Sequence, residues 1–228
     1  MPQTYEYTMG RELDLAAEQQ KTLNTPCLEA HVIHKAMFWM MDVLYGKEVS
    51  WPKVKVLEIL ARYPYWAWED GGYNGLSRLY ARTTEPAEAD VENFRNYISL
   101  GRDSQDNEEL HMLIAEDIIA QKGINLGWFR HWLLPRLMGT GYAILTKIIF
   151  HLSPSLSFYM NAAFESHAEH EYMSLAADHP EWEDVPVDSK YFKYYPRQSS
   201  LNNLIRRIAL DERDHMYHSL EEYEKLKH

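Results

Sequence analysis

Apolar side chains recur at intervals of three and four residues through most of the chain, which is the spacing of a helix with one buried face. Capping and breaking residues divide this pattern into segments. The predicted helical segments cover residues 28–44, 51–61 with a continuation towards Gly71, 76–81, 86–123, 126–150, 154–177 and 201–226. No run alternates polar and apolar residues as a strand does, so the chain is predicted to be all-α.

Proline and glycine inside these segments give two further expectations. Pro64 is expected to kink the second helix, and the glycines between 71 and 75 are expected to break it. Residues 179–198, which are rich in proline and tyrosine, are expected to form an ordered loop. The segments together predict four long helices with one or two accessory helices in a single domain, residues 1–228.

Composition narrows the classes of function. The net charge of −11 repels nucleic acid and anionic lipid headgroups, so no nucleic-acid role is expected. The single cysteine, Cys27, excludes an intramolecular disulfide and an iron–sulfur cluster built from this chain alone. Residues 1–6 lack the layout of a targeting leader, and no stretch of about 18 uncharged apolar residues occurs. We therefore expect a cytoplasmic protein without a transmembrane helix.

Two Glu-x-x-His units lie on predicted helices: Glu108 with His111, and Glu212 with His215. Residues three apart project from the same helix face, so each pair can address one metal ion. In a chain this rich in glutamate and histidine, such pairs also arise by chance. Their spacing alone therefore indicates little.

The order of the glutamates along the chain is more specific. Glu58 precedes Glu108 by 50 residues, and Glu165 precedes Glu212 by 47 residues. The chain thus contains two halves, each with a helix that carries a lone glutamate and a following helix that carries Glu-x-x-His. A di-iron site in a helical bundle needs this set of ligands. The sequence predicts a ferritin-like four-helix bundle that binds two iron ions, with manganese as a substitute suited to the same ligands.

Other acidic and imidazole side chains remain open as ligands on sequence grounds. They are His167, Glu169, His170 and Glu171 near Glu165, and His31 and His34 on the first helix. For each histidine taken alone, a structural role in the core is the ordinary alternative.

Four segments that contain the candidate ligands resemble the motifs of the alternative oxidase family, the di-iron quinol oxidases of respiratory and plastid membranes. That family has a Leu-Glu motif followed by Val-Pro, then Asn-Glu-Arg-Met-His-Leu, Leu-Glu-Glu-Glu-Ala and Arg-Ala-Asp-Glu-Ala-His-His. The segments here are Val56 to Pro64, Asn107 to Met112, Phe164 to Ala168 and Ala209 to His215. The similarity extends from about residue 30 to residue 217 and fills every metal-ligand position.

The resemblance implies roles for individual residues. The implied iron ligands are Glu58, Glu108, His111, Glu165, Glu212 and His215. Tyr172 corresponds to a tyrosine proposed to be redox-active in the family, although a plain core tyrosine is the alternative. Asn107 and Asp211 correspond to residues that orient ligands.

The departures from the family concern the quinol pocket. Phe38 and Lys53 stand where the family has arginines, whereas Asp42 is retained. His167 replaces a glutamate, and Glu171 replaces a small polar residue. The substrate pocket is expected to be lined by Asp42, Lys53, Leu57, His167 and Glu171.

Two enzymatic functions follow as expectations, and non-enzymatic iron storage or oxygen sensing is the alternative from another class. The resemblance implies an oxidase that reduces dioxygen to water with a quinol. The altered pocket and the mean hydropathy of −0.49 keep open an oxygenase or desaturase that acts on a small soluble metabolite. Dioxygen and one of these organic molecules are the expected substrates, and a homodimer is the expected assembly. The apolar residues 38–41 and 132–145 fit either a peripheral membrane contact or the dimer interface.

Overall fold

The structure, a computed structural model, describes residues 5–227, and helices account for 77% of these residues. No strand occurs in this described part, so the all-α prediction is confirmed. The α-helices are α1 (Leu15–Leu23), α2 (Val32–Tyr45), α3 (Trp51–Tyr80), α4 (Glu88–Gln121), α5 (Leu134–Leu152), α6 (Pro154–Asp178) and α7 (Leu201–Lys225). The expectation of no leader concerns residues 1–6, of which 1–4 lie outside the described residues.

Short helical turns complete the chain. A π-helix, Phe129–Leu133, leads directly into α5. Two 3-10 helices, Pro180–Asp184 and Lys190–Lys193, lie between α6 and α7, where an ordered loop was expected. The three accessory helices α1, α2 and α5 exceed the one or two that were predicted, because the short α1 was missed.

Local capping chemistry sets several of the helix ends. The Ser153 hydroxyl accepts a hydrogen bond from the Leu156 backbone N–H at the start of α6, and Ser200 does the same for Asn203 at the start of α7. Gly46 ends α2 with a φ of 93°, a backbone conformation that suits glycine. These three boundaries agree with the sequence-based predictions.

The predicted break between residues 71 and 75 is wrong, because α3 continues through Pro64 and all three glycines. The glycines serve packing. A Cβ atom on Gly71 would lie 2.2 Å from the Phe150 ring, and one on Gly75 would lie 2.2 Å from the Phe94 ring. At Gly72 the added carbon would lie 2.7 Å from the backbone oxygen of Phe94. The missing side chains therefore let α3 approach α4 and α5 closely.

We predict that Gly72→Ala destabilises the protein by about 1–3 kcal/mol, since the clash is with backbone that cannot rotate away. Gly141 in α5 is the matched control, because a Cβ there meets no atom within 4 Å. Gly141→Ala is expected to stabilise the protein by roughly 0.5–1 kcal/mol through helix propensity. Urea unfolding followed by circular dichroism measures both values. Equal effects of the two substitutions would contradict the packing explanation.

Two helix pairs form the centre of the molecule. Helix α3 packs along α4, and α6 packs along α7, while α5 covers α3 and α1 lies on α6 and α7. The chain before α1 is tied to α7, because the Asp214 carboxylate accepts hydrogen bonds from the backbone N–H groups of Thr8 and Met9. A large apolar cluster packs α4 against α6 and α7, with Ile114, Met173 and Leu204 fully buried.

One side of the molecule exposes many large apolar side chains. The stretch Phe129–Leu152 is long and apolar enough to cross a membrane by length and composition, and 22% of its most apolar window is buried. From the sequence we expected no helix that meets this test.

Helix α2 adjoins this stretch, because Tyr45 at the end of α2 donates a hydrogen bond to the backbone oxygen of Arg130. We call their exposed side chains the apolar face: Val32, Trp39, Val43, Trp128, Phe129, Trp132, Leu137, Ile144, Ile148 and Leu152.

Candidate metal centre

The six candidate ligands come together between the two helix pairs. Helix α3 supplies Glu58, α4 supplies Glu108 and His111, α6 supplies Glu165, and α7 supplies Glu212 and His215. Each of the six is at most 2% exposed. Two Glu-x-x-His units and two lone glutamates, far apart in sequence, thus face one another in the core.

Their ligand atoms form two groups. The first comprises Glu58, Glu108, His111 and Glu212, and the second comprises Glu108, Glu165, Glu212 and His215. Within each group the ligand atoms lie within 4.8 Å of one another. Glu108 and Glu212 belong to both groups. Since each carboxylate has two oxygens, these two glutamates would be shared if two ions were bound, and one further glutamate and one histidine would complete each ligand group.

Several buried polar atoms in this cluster make no hydrogen bond of good geometry among the described residues. They are Oε2 of Glu58, both carboxylate oxygens of Glu108, Nδ1 of His111, Oε2 of Glu165 and Oε1 of Glu212. Two of these oxygens do lie close to a histidine nitrogen: Oε1 of Glu108 is 2.8 Å from Nδ1 of His215, and Oε1 of Glu212 is 3.2 Å from Nδ1 of His111. Buried carboxylates without partners are costly, and each such atom in a folded protein needs an explanation. These buried glutamates and histidines could hold metal ions, which supply the missing partners.

Comparison with protein-family models, curated proteins and solved structures finds no match. The case for a metal centre therefore rests on the residues themselves.

Asp211 orients one of the histidines. Its Oδ2 lies 3.2 Å from Nε2 of His111, which leaves Nδ1 of that ring facing the carboxylates. Asp211 is held in turn by the Tyr195 hydroxyl at 2.6 Å and by the Arg207 guanidinium. Outer carboxylates of this kind fix the ring orientation of metal-binding histidines.

Asn107, the other residue expected to orient a ligand, is placed differently. It is half-buried, and its side-chain oxygen has no hydrogen-bond partner among the described residues. The structure therefore does not bring Asn107 into hydrogen-bond contact with the cluster. His215 points its Nδ1 towards Glu108 and Glu212, at 2.8 Å and 3.4 Å.

Two buried tyrosines donate hydrogen bonds to the lone glutamates. The Tyr172 hydroxyl donates to Oε1 of Glu58, and the Tyr65 hydroxyl donates to Oε1 of Glu165 at 2.6 Å. Tyr172 was expected beside the metals, but Tyr65 was missed. A sequence signal existed, because Tyr65 follows Glu58 by the same seven residues that separate Tyr172 from Glu165.

Burial and neighbouring charges shift the pKa values of the residues in the metal-free cluster. Burial, with the neighbouring charge of Glu108, raises the pKa of Glu58 to about 8. Burial and two neighbouring carboxylates raise the pKa of Glu165 well above its usual range. Burial lowers the pKa of both His111 and His215, but their acidic neighbours outweigh it and raise both values well above the usual range.

A cavity of about 130 Å³ leads to the cluster from beside α2. Its inner wall includes Glu58, Glu165, Glu212 and Tyr172, and its outer end reaches the exposed Lys47. All five residues expected in the substrate pocket line this cavity: Asp42, Lys53, Leu57, His167 and Glu171.

The ammonium of Lys53 is already occupied. It donates to the Asp42 carboxylate at 2.8 Å and to the backbone oxygens of Gly46 and Lys47 at 2.9 Å and 3.2 Å. These contacts use all three of its donors. Lys53 therefore ties the end of α2 to α3, and it offers no free donor to a molecule in the cavity.

His167 and Glu171 give the cavity a polar wall. The His167 ring stacks on Phe38 with ring centroids 3.8 Å apart. Burial lowers the pKa of His167 to about 4, so the ring is neutral at pH 7, and burial raises the pKa of Glu171. A neutral imidazole offers one donor and one acceptor to a bound molecule.

The competing ligands lie outside the two groups. Glu169 accepts hydrogen bonds from Thr22 at 2.6 Å and from Arg213 at 2.8 Å, which occupies its carboxylate. His170 lies between the backbone oxygens of Ser166 and Thr25. His31 caps the start of α2, and His34 is buried on the same helix.

Proposed function

We propose that this protein is a di-iron oxidase, in which α3, α4, α6 and α7 form a ferritin-like four-helix bundle around two iron ions. It reduces dioxygen to water with electrons from a quinol, as the resemblance to alternative oxidases implies. The observation that carries the proposal is the pair of ligand groups that share Glu108 and Glu212.

The donor set fits iron. Four carboxylates and two imidazoles offset the charge of two ferrous ions, and oxygen and nitrogen donors of this kind suit iron and manganese. Cys27, the single thiol of the chain, lies outside both groups, which disfavours sites selective for softer metals. Iron bound here supplies the capacity to bind and reduce dioxygen.

The chain's own residues position the other reactants. Tyr172 lines the cavity and also donates its phenolic hydrogen to Glu58, so it connects the cavity to the ligands. A phenol in this position is suited to pass an electron and a proton between a molecule in the cavity and the metal site. The water-excluded core strengthens every hydrogen bond along this route.

The apolar face supports a lipid-soluble reductant. It includes part of α2, the helix that also forms one wall of the cavity, and it contains three exposed tryptophans: Trp39, Trp128 and Trp132. Tryptophan is favoured at the interface between membrane and water. We propose that this face contacts a membrane peripherally, and sedimentation with lipid vesicles distinguishes this contact from a homodimer interface.

A second candidate function is an oxygenase or desaturase for a small soluble metabolite. The polar wall formed by His167 and Glu171 favours it, because these side chains can bind hydroxyl or carbonyl groups of a compact substrate. In that case the organic molecule in the cavity is itself oxygenated or desaturated.

Oxygen uptake separates the two functions. We expect the iron-loaded protein to consume dioxygen rapidly with a short-chain ubiquinol, and catalase to return no oxygen because no peroxide is released. Metal-free protein is the control and is expected to show no uptake above background. If protein shown to contain two irons consumes no oxygen with the quinol, the quinol oxidase is refuted and the metabolite oxygenase is favoured.

A further inference from the structure

Tyr65 lies at the candidate metal centre and contacts one of the lone glutamates. Its side chain is fully buried, and its hydroxyl donates to Glu165 at 2.6 Å. It does not line the cavity that Tyr172 lines. The proposed oxidase chemistry through Tyr172 leaves Tyr65 without a role.

The two tyrosines are related by an internal symmetry. Tyr65 stands on α3 two helical turns after Glu58 and bonds Glu165 on α6. Tyr172 stands on α6 two turns after Glu165 and bonds Glu58 on α3. Each tyrosine thus reaches from its own helix to the other one, and its hydroxyl donates to the lone glutamate there.

The surroundings of Tyr65 are dry and aromatic. Its ring packs edge-to-face on Trp68 with centroids 5.0 Å apart, and Trp68 packs on Phe158 at 4.4 Å. All three side chains are 0% exposed. The Asn161 amide donates to the Tyr65 hydroxyl at 2.9 Å and so fixes its direction. A phenol held in this way is protected from solvent and from small reductants.

We propose that Tyr65 is a second redox-active phenol of this centre, which gives up one electron and its phenolic proton while dioxygen is reduced. The inference rests on the proposed oxidase function. Reduction of one dioxygen to two waters breaks the oxygen–oxygen bond and takes four electrons and four protons. Two of the electrons would be supplied by the iron held by the six ligands, as two ferrous ions become ferric.

Tyr172 and Tyr65 give one electron and one proton each, and solvent gives the other two protons. The proton of Tyr65 leaves along its hydrogen bond to Glu165. Two quinols then return four electrons and four protons in total: they reduce both ferric ions, restore both phenols and replace the two solvent protons. With a second phenol, the chain holds all four reducing equivalents before any quinol reacts.

Electron paramagnetic resonance tests this role. Ferrous-loaded protein without reductant is mixed with dioxygen and frozen within milliseconds to seconds. In Tyr172→Phe we expect a tyrosyl radical to remain, with a spectrum that narrows when the protein contains ring-deuterated tyrosine. In Tyr172→Phe with Tyr65→Phe we expect the radical to disappear while both irons stay bound. In Tyr65→Phe alone, the radical should fall to about half of the wild-type amount.

Tyr97→Phe, added to Tyr172→Phe, is the matched control. Tyr97 is a buried tyrosine of the same aromatic cluster whose hydroxyl meets the Asn93 amide instead of a carboxylate. This substitution should leave the radical unchanged. The proposal for Tyr65 is overturned if oxygen is consumed but no radical depends on Tyr65, even if Tyr65→Phe alters iron content through a positioning effect. If wild-type protein with two irons consumes no oxygen, the oxidase function itself is refuted and the inference falls with it.

Discussion

Glu212→Ala is expected to remove both metal ions from the protein, whereas Glu165→Ala is expected to remove one. Glu212 belongs to both ligand groups, and Glu165 belongs to one. Loss of a carboxylate shared by two ions leaves each position with fewer donors and less negative charge. Oxygen consumption should therefore vanish in Glu212→Ala, since two ions are needed.

Metal analysis after anaerobic loading with ferrous iron and gel filtration measures the content of each variant. Glu109→Ala is the matched control, because Glu109 is the exposed neighbour of Glu108 on the same helix, and it should retain two ions. Circular dichroism verifies that each variant is folded. Two ions retained in Glu212→Ala would show that the ligand set is wrong.

Binding of divalent ions at pH 7 is expected to release protons. In the metal-free protein burial and the neighbouring charge of Glu108 raise the pKa of Glu58 to about 8, so most of this carboxyl is protonated at pH 7. The pKa values of Glu165, His111 and His215 are also raised, which favours the protonated form of each group. A ligand must lose its proton before it can bind a metal. The proton of Glu58 is therefore expected to leave as the ions enter.

Groups with a raised pKa are protonated below that value, so protons compete with the metal and affinity grows as pH rises towards about 8, the pKa of Glu58. Displacement of the Glu58 proton alone should raise the affinity about tenfold from pH 6 to pH 7, and each further proton displaced makes the rise steeper. The affinity should level off once these groups have lost their protons.

Calorimetric titration with manganese or anaerobic ferrous iron, in two buffers with different protonation enthalpies, counts the released protons. Glu58→Gln should reduce the count by about one, because the amide carries no titratable proton. A count of zero in the wild-type protein would contradict the protonation described for the metal-free cluster.

The residues of the candidate centre could be predicted from the sequence, because their spacing follows from the geometry of helices. Glu-x-x-His puts two donors on one face of a helix, and the two similar spacings from Glu58 and Glu165 imply two equivalent halves. Asp211 was accessible through the motif that contains it. Asn107 was expected on the same grounds, but the position of a motif does not fix the direction of a side chain.

The rest depended on contacts between distant segments. Glycines at 71, 72 and 75 favour a break by local propensity, but Phe94 and Phe150 fill the space that they leave, and neither partner is visible in the local sequence. Helix α1 was missed for a similar reason. It is short, and it is held by long-range contacts such as Gln19 with the backbone of Met173 and Glu18 with Arg213.

Sharing of the candidate ligands across the two helix pairs also has a consequence for the way metal ions would be acquired. In the first group, three residues come from α3 and α4 and the fourth comes from α7; in the second group, α6 and α7 give three and α4 gives one. Neither pair can complete a ligand group before the other has docked. Newly synthesised chains would therefore hold ions weakly until the core has closed. Ions bound in the closed core would then join the two helix pairs and oppose their separation.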